Sequence, residues 1–127
     1  MIEIQGAIIS KIKASILTNV YSYVPEKTDP PYIVVSFPEL DENDTDTEEG
    51  FISTVQITST SRYRGYKEIS DINKELYSLL HRTAMDDTDE YAFSTIQQEF
   101  SSILTDDDGL TRVSVQRFSV IFEPKTV

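Results

Sequence analysis

The chain has 127 residues, of which 39% are apolar, 26% charged and 10% aromatic, a composition that fits one domain over residues 1–127 with a modest core. Its 22 acidic residues against 11 basic ones give a net charge of -11, which repels phosphate backbones and argues against sequence-specific DNA binding. The absence of cysteine excludes disulfides, thiol catalysis and thiolate metal sites, and no apolar stretch approaches the roughly 20 residues that a membrane-spanning helix needs.

The start, Met1-Ile2-Glu3-Ile4, lacks the basic opening and small-residue cleavage site of a secretory signal, so the chain is expected to act without export. From Ile4 the apolar residues recur at Ile8, Ile12 and Ile16, with Ala7, Ile9 and Leu17 beside them, which predicts an amphipathic helix ending near Thr18-Asn19. Isoleucine has mediocre helix propensity, so this helix should depend on packing against a sheet. Val20 to Val24 reads as a short extended piece, followed by the proline-punctuated loop Pro25 to Pro31.

A first strand is expected at Tyr32-Ile33-Val34-Val35-Ser36-Phe37, whose near-continuous apolar character suggests cover on both faces for part of its length. The segment Glu39 to Gly50 has no apolar residue after Leu40 and reads as a solvated acidic loop. Beyond it Phe51, Val55 and Ile57 share one parity while Thr54, Gln56, Thr58 and Thr60 share the other. This alternation predicts a second strand, antiparallel to the first. Ile69, Ile72, Leu76, Leu79 and Leu80 then mark a second amphipathic helix after Gly65, and residues 83–90 form another acidic connector.

Asp106-Asp107-Asp108-Gly109 joins two β-like runs, Ile96 to Leu104 and Leu110 to Glu123. In the last run Val113 and Val115 are apolar at odd positions, whereas Phe118, Val120 and Phe122 are apolar at even ones. Either a β-bulge near Gln116-Arg117 or an outer face covered by a neighbouring chain would reconcile the two sets.

Motifs for catalysis or cofactor binding are missing. His81, the one histidine, stands at the end of the second helix, where a cationic ring would suit the helix dipole, so a structural or capping role is expected. Aligning Gly109 to the sixth place of an EF-hand loop puts Leu104 first and Val115 twelfth, where Asp and Glu are required, so the acidic run reads as a turn. Gly6, Gly50, Gly65 and Gly109 are too dispersed for a phosphate-binding loop. No catalytic residue, cofactor-binding residue or metal ligand is assigned, and the chain is expected not to be an enzyme.

The order of parts resembles the tail terminator and tail-to-head joining proteins of long-tailed bacteriophages, the tail completion or neck proteins. The resemblance is carried by the N-terminal helix leading to Pro30-Pro31-Tyr32-Ile33-Val34-Val35, and by a Phe51 to Ser61 strand running into Arg62-Tyr63-Arg64-Gly65-Tyr66 and a helix through Leu80. It continues in Asp107-Asp108-Gly109-Leu110, which opens a strand ending Phe118 to Pro124. The fold expected is α+β, a mainly antiparallel sheet of about four strands packed by two amphipathic helices in the order helix, strand, strand, helix, strand, strand.

The resemblance implies a homohexameric ring in the virion neck. Such a ring stops tail-tube polymerisation and touches both the tail tube protein and the head connector or completion protein, while DNA passes through without specific binding. In such a ring Asp41, Glu42, Asp44, Asp46, Glu48 and Glu49 would line the channel with negative charge, and Arg62, Tyr63, Arg64 and Tyr66 would form a partner-facing edge. Two other readings fit the same residues: a head-completion or other tail structural protein, and an acidic adaptor that binds a basic non-viral partner.

Overall fold

The computed structural model describes the backbone of residues 2–36, 51–63, 65–82, 91–106 and 108–124, and the side chains of 5–36, 54–63, 65–82, 96–106 and 108–121. The elements run α1 (Ile2–Ser15), β1 (Asn19–Tyr21), β2 (Tyr32–Ser36), β3 (Phe51–Ser61), α2 (Lys67–Leu80), β4 (Tyr91–Thr105) and β5 (Arg112–Pro124). The strands form one sheet in the order β1-β2-β3-β5-β4, with β1 parallel to β2 and every other pair antiparallel. The fold is thus α+β with one strand more than the sequence suggests. The extra strand is the short extended piece before the proline loop, which pairs Val20 with Ile33.

The isoleucine stripe of α1 does what its spacing predicts: Ile8, Ile12 and Ile16 are buried. On α2 the buried set is Ile69, Ile72, Leu76 and Leu80, again at helical spacing. These stripes meet Val20, Ile33, Val35, Val55, Ile57, Phe118 and Val120 in one cluster. In an antiparallel ladder directly paired residues share a face. The pairs Val35 with Ile57 and Val55 with Phe118 therefore place both helices on the same side of the sheet. Each fully buried side chain of this kind contributes about 1.5–3 kcal/mol.

The apparent phase conflict in β5 resolves without a bulge in that strand. β5 pairs with β3 in unbroken register from Phe51–Phe122 to Ser61–Arg112. The irregularities lie instead in β4, between Phe93 and Thr95 and between Gln98 and Phe100. Even positions of β5 hence face the helices along its described length. Phe118 and Val120 join the core, and Ser114 and Gln116 are buried although polar. Asn73 of α2 makes this possible. Ser114 Oγ donates to Asn73 Oδ1 at 2.5 Å, and Gln116 Nε2 donates to the Asn73 carbonyl at 3.1 Å. Buried polar groups cost free energy unless bonded, so this seam ties α2 to β5 in one register.

Val113 and Val115 accordingly point to the opposite face, where among the described residues no helix lies. The same holds for β2. Its burial alternates, with Ile33 and Val35 buried and Tyr32 and Val34 only half-buried, so the expected cover on both faces is not provided within the chain. The outward Tyr32 and Val34 of β2 instead lie on an open sheet face of mixed character, beside Thr58 and Thr60 of β3. The antiparallel β2–β3 pairing and the closing β4–β5 hairpin are as the sequence predicts.

Candidate assembly surface

The β4–β5 turn is built on Asp108. Its Oδ1 accepts the backbone N–H groups of Leu110 at 2.9 Å and Thr111 at 2.8 Å, and its Oδ2 accepts the Thr111 hydroxyl at 2.7 Å. The N–H of Gly109 donates to the Asp106 carbonyl at 3.0 Å, with Gly109 at φ 72°, a left-handed conformation that disfavours any side chain. Asp106 N–H closes the loop on the Thr111 carbonyl at 2.8 Å. The Thr111 and Leu110 hydrogen bonds stabilise the ionised form and hold the Asp108 carboxyl at about 2, with Arg62 a minor contributor. These hydrogen bonds build the turn that the acidic run suggests.

The β3–α2 connection reaches the same end of the sheet, because Ser61 pairs with Arg112 in the ladder. Ser61 Oγ donates to Glu68 Oε1 at 2.6 Å and accepts the Tyr63 N–H at 3.2 Å, which fixes the chain as it leaves the strand. The Tyr66 hydroxyl meets Thr105 Oγ1 at 2.9 Å, and the Arg112 guanidinium lies 4.8 Å from the Tyr66 ring centroid. Arg62 reaches Asp108 at 3.8 Å. Three of the four residues expected at a partner-facing edge, Arg62, Tyr63 and Tyr66, are exposed, and of these Arg62 and Tyr66 meet the end of the β4–β5 hairpin. Arg64 lies outside the described residues, as do the expected channel residues Asp41, Glu42, Asp44, Asp46, Glu48 and Glu49.

Two features of this surface escape the sequence pattern. Exposed Leu110 lies in the turn and adds apolar area beside the tyrosine and arginine cluster, while exposed Leu104 pairs with Val113 and flanks the turn on the open side of the sheet. Such a mixture of aromatic, aliphatic and arginine side chains is typical of protein interfaces. Tyr63 also lines a cleft of about 870 Å³ between the end of α1 and α2, with Ile16, Leu17, Ile72 and Leu79 as its apolar part. Leu17 is fully exposed at its edge. The helical stripe counts Leu17 among the packing residues, but α1 ends at Ser15 and frees it.

His81 is the C-cap of α2. It follows the last residue of α2, its N–H donates to the Tyr77 carbonyl at 2.9 Å, and its ring stacks on Tyr77 with centroids 4.5 Å apart. Its Nδ1 accepts the Gln98 N–H at 3.0 Å. The ring joins α2 to the edge strand β4.

The family model for tail completion protein gp17 matches residues 8–123, and the chain belongs to that family. A chain of the virion of a native gene transfer agent (GTA) particle has the same fold, with a TM-score of 0.79 over 95% of both chains at 15% identity. No curated protein matches the sequence. The family is one of virion tail structural proteins, and this chain is such a protein.

Proposed function

We propose that this chain is the tail terminator of a phage-like virion. Copies of it close into a ring, six in number, on the head-proximal end of the tail tube. The ring stops tube growth and offers its other side to the head connector. Family membership over residues 8–123 carries this reading. The gene transfer agent chain of the same fold, itself part of a virion, is in keeping with it.

The chemistry of the chain suits that role. A cap needs surfaces and no reaction, and the exposed residues Arg62, Tyr63, Tyr66 and Leu110 at this end of the sheet supply one suited to recognising a partner. The tube end is its proposed partner. Asp41, Glu42, Asp44, Asp46, Glu48 and Glu49 would line the channel and let DNA pass without adhesion. Rings of this type form when one patch of a subunit meets a different patch of the next and the rotation closes.

Deleting the gene from a producing phage or prophage and imaging the particles tests the proposal. Headless tubes of uncontrolled length are expected, with normal length restored by the gene in trans. Tubes of uniform, normal length in the deletion strain would show that another protein terminates them.

A further inference from the structure

The sheet buries one face under both helices and leaves the other open. Along that open face the outward residues include Tyr21, Tyr32, Val34, Val113 and Val115, all half-buried by their neighbours alone, together with the uncharged polar row Thr54, Gln56, Thr58 and Thr60 of β3. The side chains described there at ladder positions carry a single charge, that of Arg117 on β5, and Glu99 sits unpaired in the β4 bulge at its edge. This composition is unusual in a chain with 22 acidic and 11 basic residues. Depletion of charge with retention of tyrosine and arginine is the mark of an interface core.

Arg117 is held ready for a partner. Its Nε donates to Gln56 Oε1 at 3.0 Å, and its guanidinium lies 5.6 Å from the Phe100 ring centroid. Its terminal nitrogens have no acceptor among the described residues, so a fixed fork of donors is left for a carboxylate. Five strands at about 4.8 Å spacing and roughly 35 Å of the longer strands give a face on the order of 700 Å². One side of a standard protein interface buries about 800 Å². A single arginine could not hold a nucleic acid, whose binding scales with the number of phosphates neutralised.

We propose that this open face is the surface on which the next copy of the chain sits in the ring, with Arg117 received by a carboxylate of that copy. The inference rests on the ring reading above. Charge selects the occupant. Two subunits of net charge -11 approach most readily where one of them presents few carboxylates, and among the described side chains at ladder positions of this face there are none. A basic partner would instead be drawn to the acidic surfaces.

Sedimentation velocity of the full chain, alone and with purified tail tubes, tests this with Val115→Asp and Arg117→Glu. Thermal melting verifies that both variants are folded. The wild type should sediment as a ring and both variants as monomers, with at least a tenfold loss of assembled material. Folded variants that still form the ring would overturn the inference and leave the ring reading standing. Variants that form rings but no longer bind tubes would assign the face to tube docking and overturn it equally. A wild type that is monomeric both alone and on tubes would defeat the ring reading and the inference together.

Because the chain has no cysteine, Val115→Cys offers a milder check. Its thiol should react with a maleimide at least tenfold more slowly in the ring than in diluted monomer. Equal rates would refute the proposal.

Discussion

Asp108 shows how one side chain shapes a surface. Its carboxylate bonds the Leu110 and Thr111 amides and the Thr111 hydroxyl, and this pulls its titration down to about 2 from the ordinary carboxylate value near 3.9. A folded-state value lowered in this way makes a stabilising contribution that is complete above about pH 4 and is lost as the pH falls through about 2. The melting temperature of wild type minus that of Asp108→Ala should hence be constant from pH 5 to 7 and shrink towards pH 2. A difference that stays level down to pH 2 would show that the ionised form is not favoured in the fold. His81 permits a second test at this scale. Removing its ring in His81→Ala leaves the Gln98 N–H without its acceptor and exposes Tyr77, a loss of about 1–2 kcal/mol in urea unfolding. A loss below about 0.3 kcal/mol would mean that water replaces the ring at no cost.

Among the elements, α2 fixes the architecture, because it alone contacts the core with an apolar stripe and the β5 seam with Asn73. Leu76 is fully buried in that stripe, so Leu76→Ala should destabilise the chain by about 2–5 kcal/mol, as large-to-small core changes do. Glu75→Ala on the exposed side should stay within about 0.5 kcal/mol, and chemical denaturation of the two variants checks the pair. This helix was legible because its period is strong and uninterrupted, and β3 was legible for the same reason at period two. β1 was not recognisable as a strand, since a three-residue piece has no period and its partner lies beyond the proline loop. The phase of β5 could not be read from β5 itself. The unbroken register carries Ser114 and Gln116 inward with Phe118 and Val120, and what makes their burial tolerable is Asn73, a residue of another element that no strand pattern contains. The surface divides similarly. Arg62, Tyr63 and Tyr66 stand out in the sequence as a cluster, but the meeting of Arg62 and Tyr66 with the end of the β4–β5 hairpin follows from the Ser61–Arg112 register. The exposure of Leu17 follows from where α1 stops.

At the scale of the molecule the net charge of -11 sets the conditions for assembly. Copies of such a chain repel one another, and the repulsion acts over the Debye length, about 30 Å at 0.01 M salt and about 10 Å at 0.1 M. A contact through Arg117 is short-range and, once buried, little screened, whereas the repulsion is summed over many exposed carboxylates and is the part that salt removes. Raising NaCl from 20 to 300 mM should therefore increase the ring fraction, opposite to the trend for a complex held mainly by surface ion pairs. Removing residues 42–48 should act in the same direction. It deletes Glu42, Asp44, Asp46 and Glu48 and takes the net charge from -11 to -7. Residues 37–41 and 49–50 remain to connect β2 to β3, within the span that hairpin connections tolerate. The β2–β3 ladder from Tyr32–Thr60 to Ser36–Gln56 loses no partner, so the melting temperature of the shortened chain should change by only a few degrees. At 20 mM NaCl its ring fraction should exceed that of the full-length chain, and the two should converge at 300 mM. If the shortened chain assembles less well at every salt concentration, the acidic segment contributes contacts between subunits instead of lining the channel, and the charge argument for the open sheet face loses its premise.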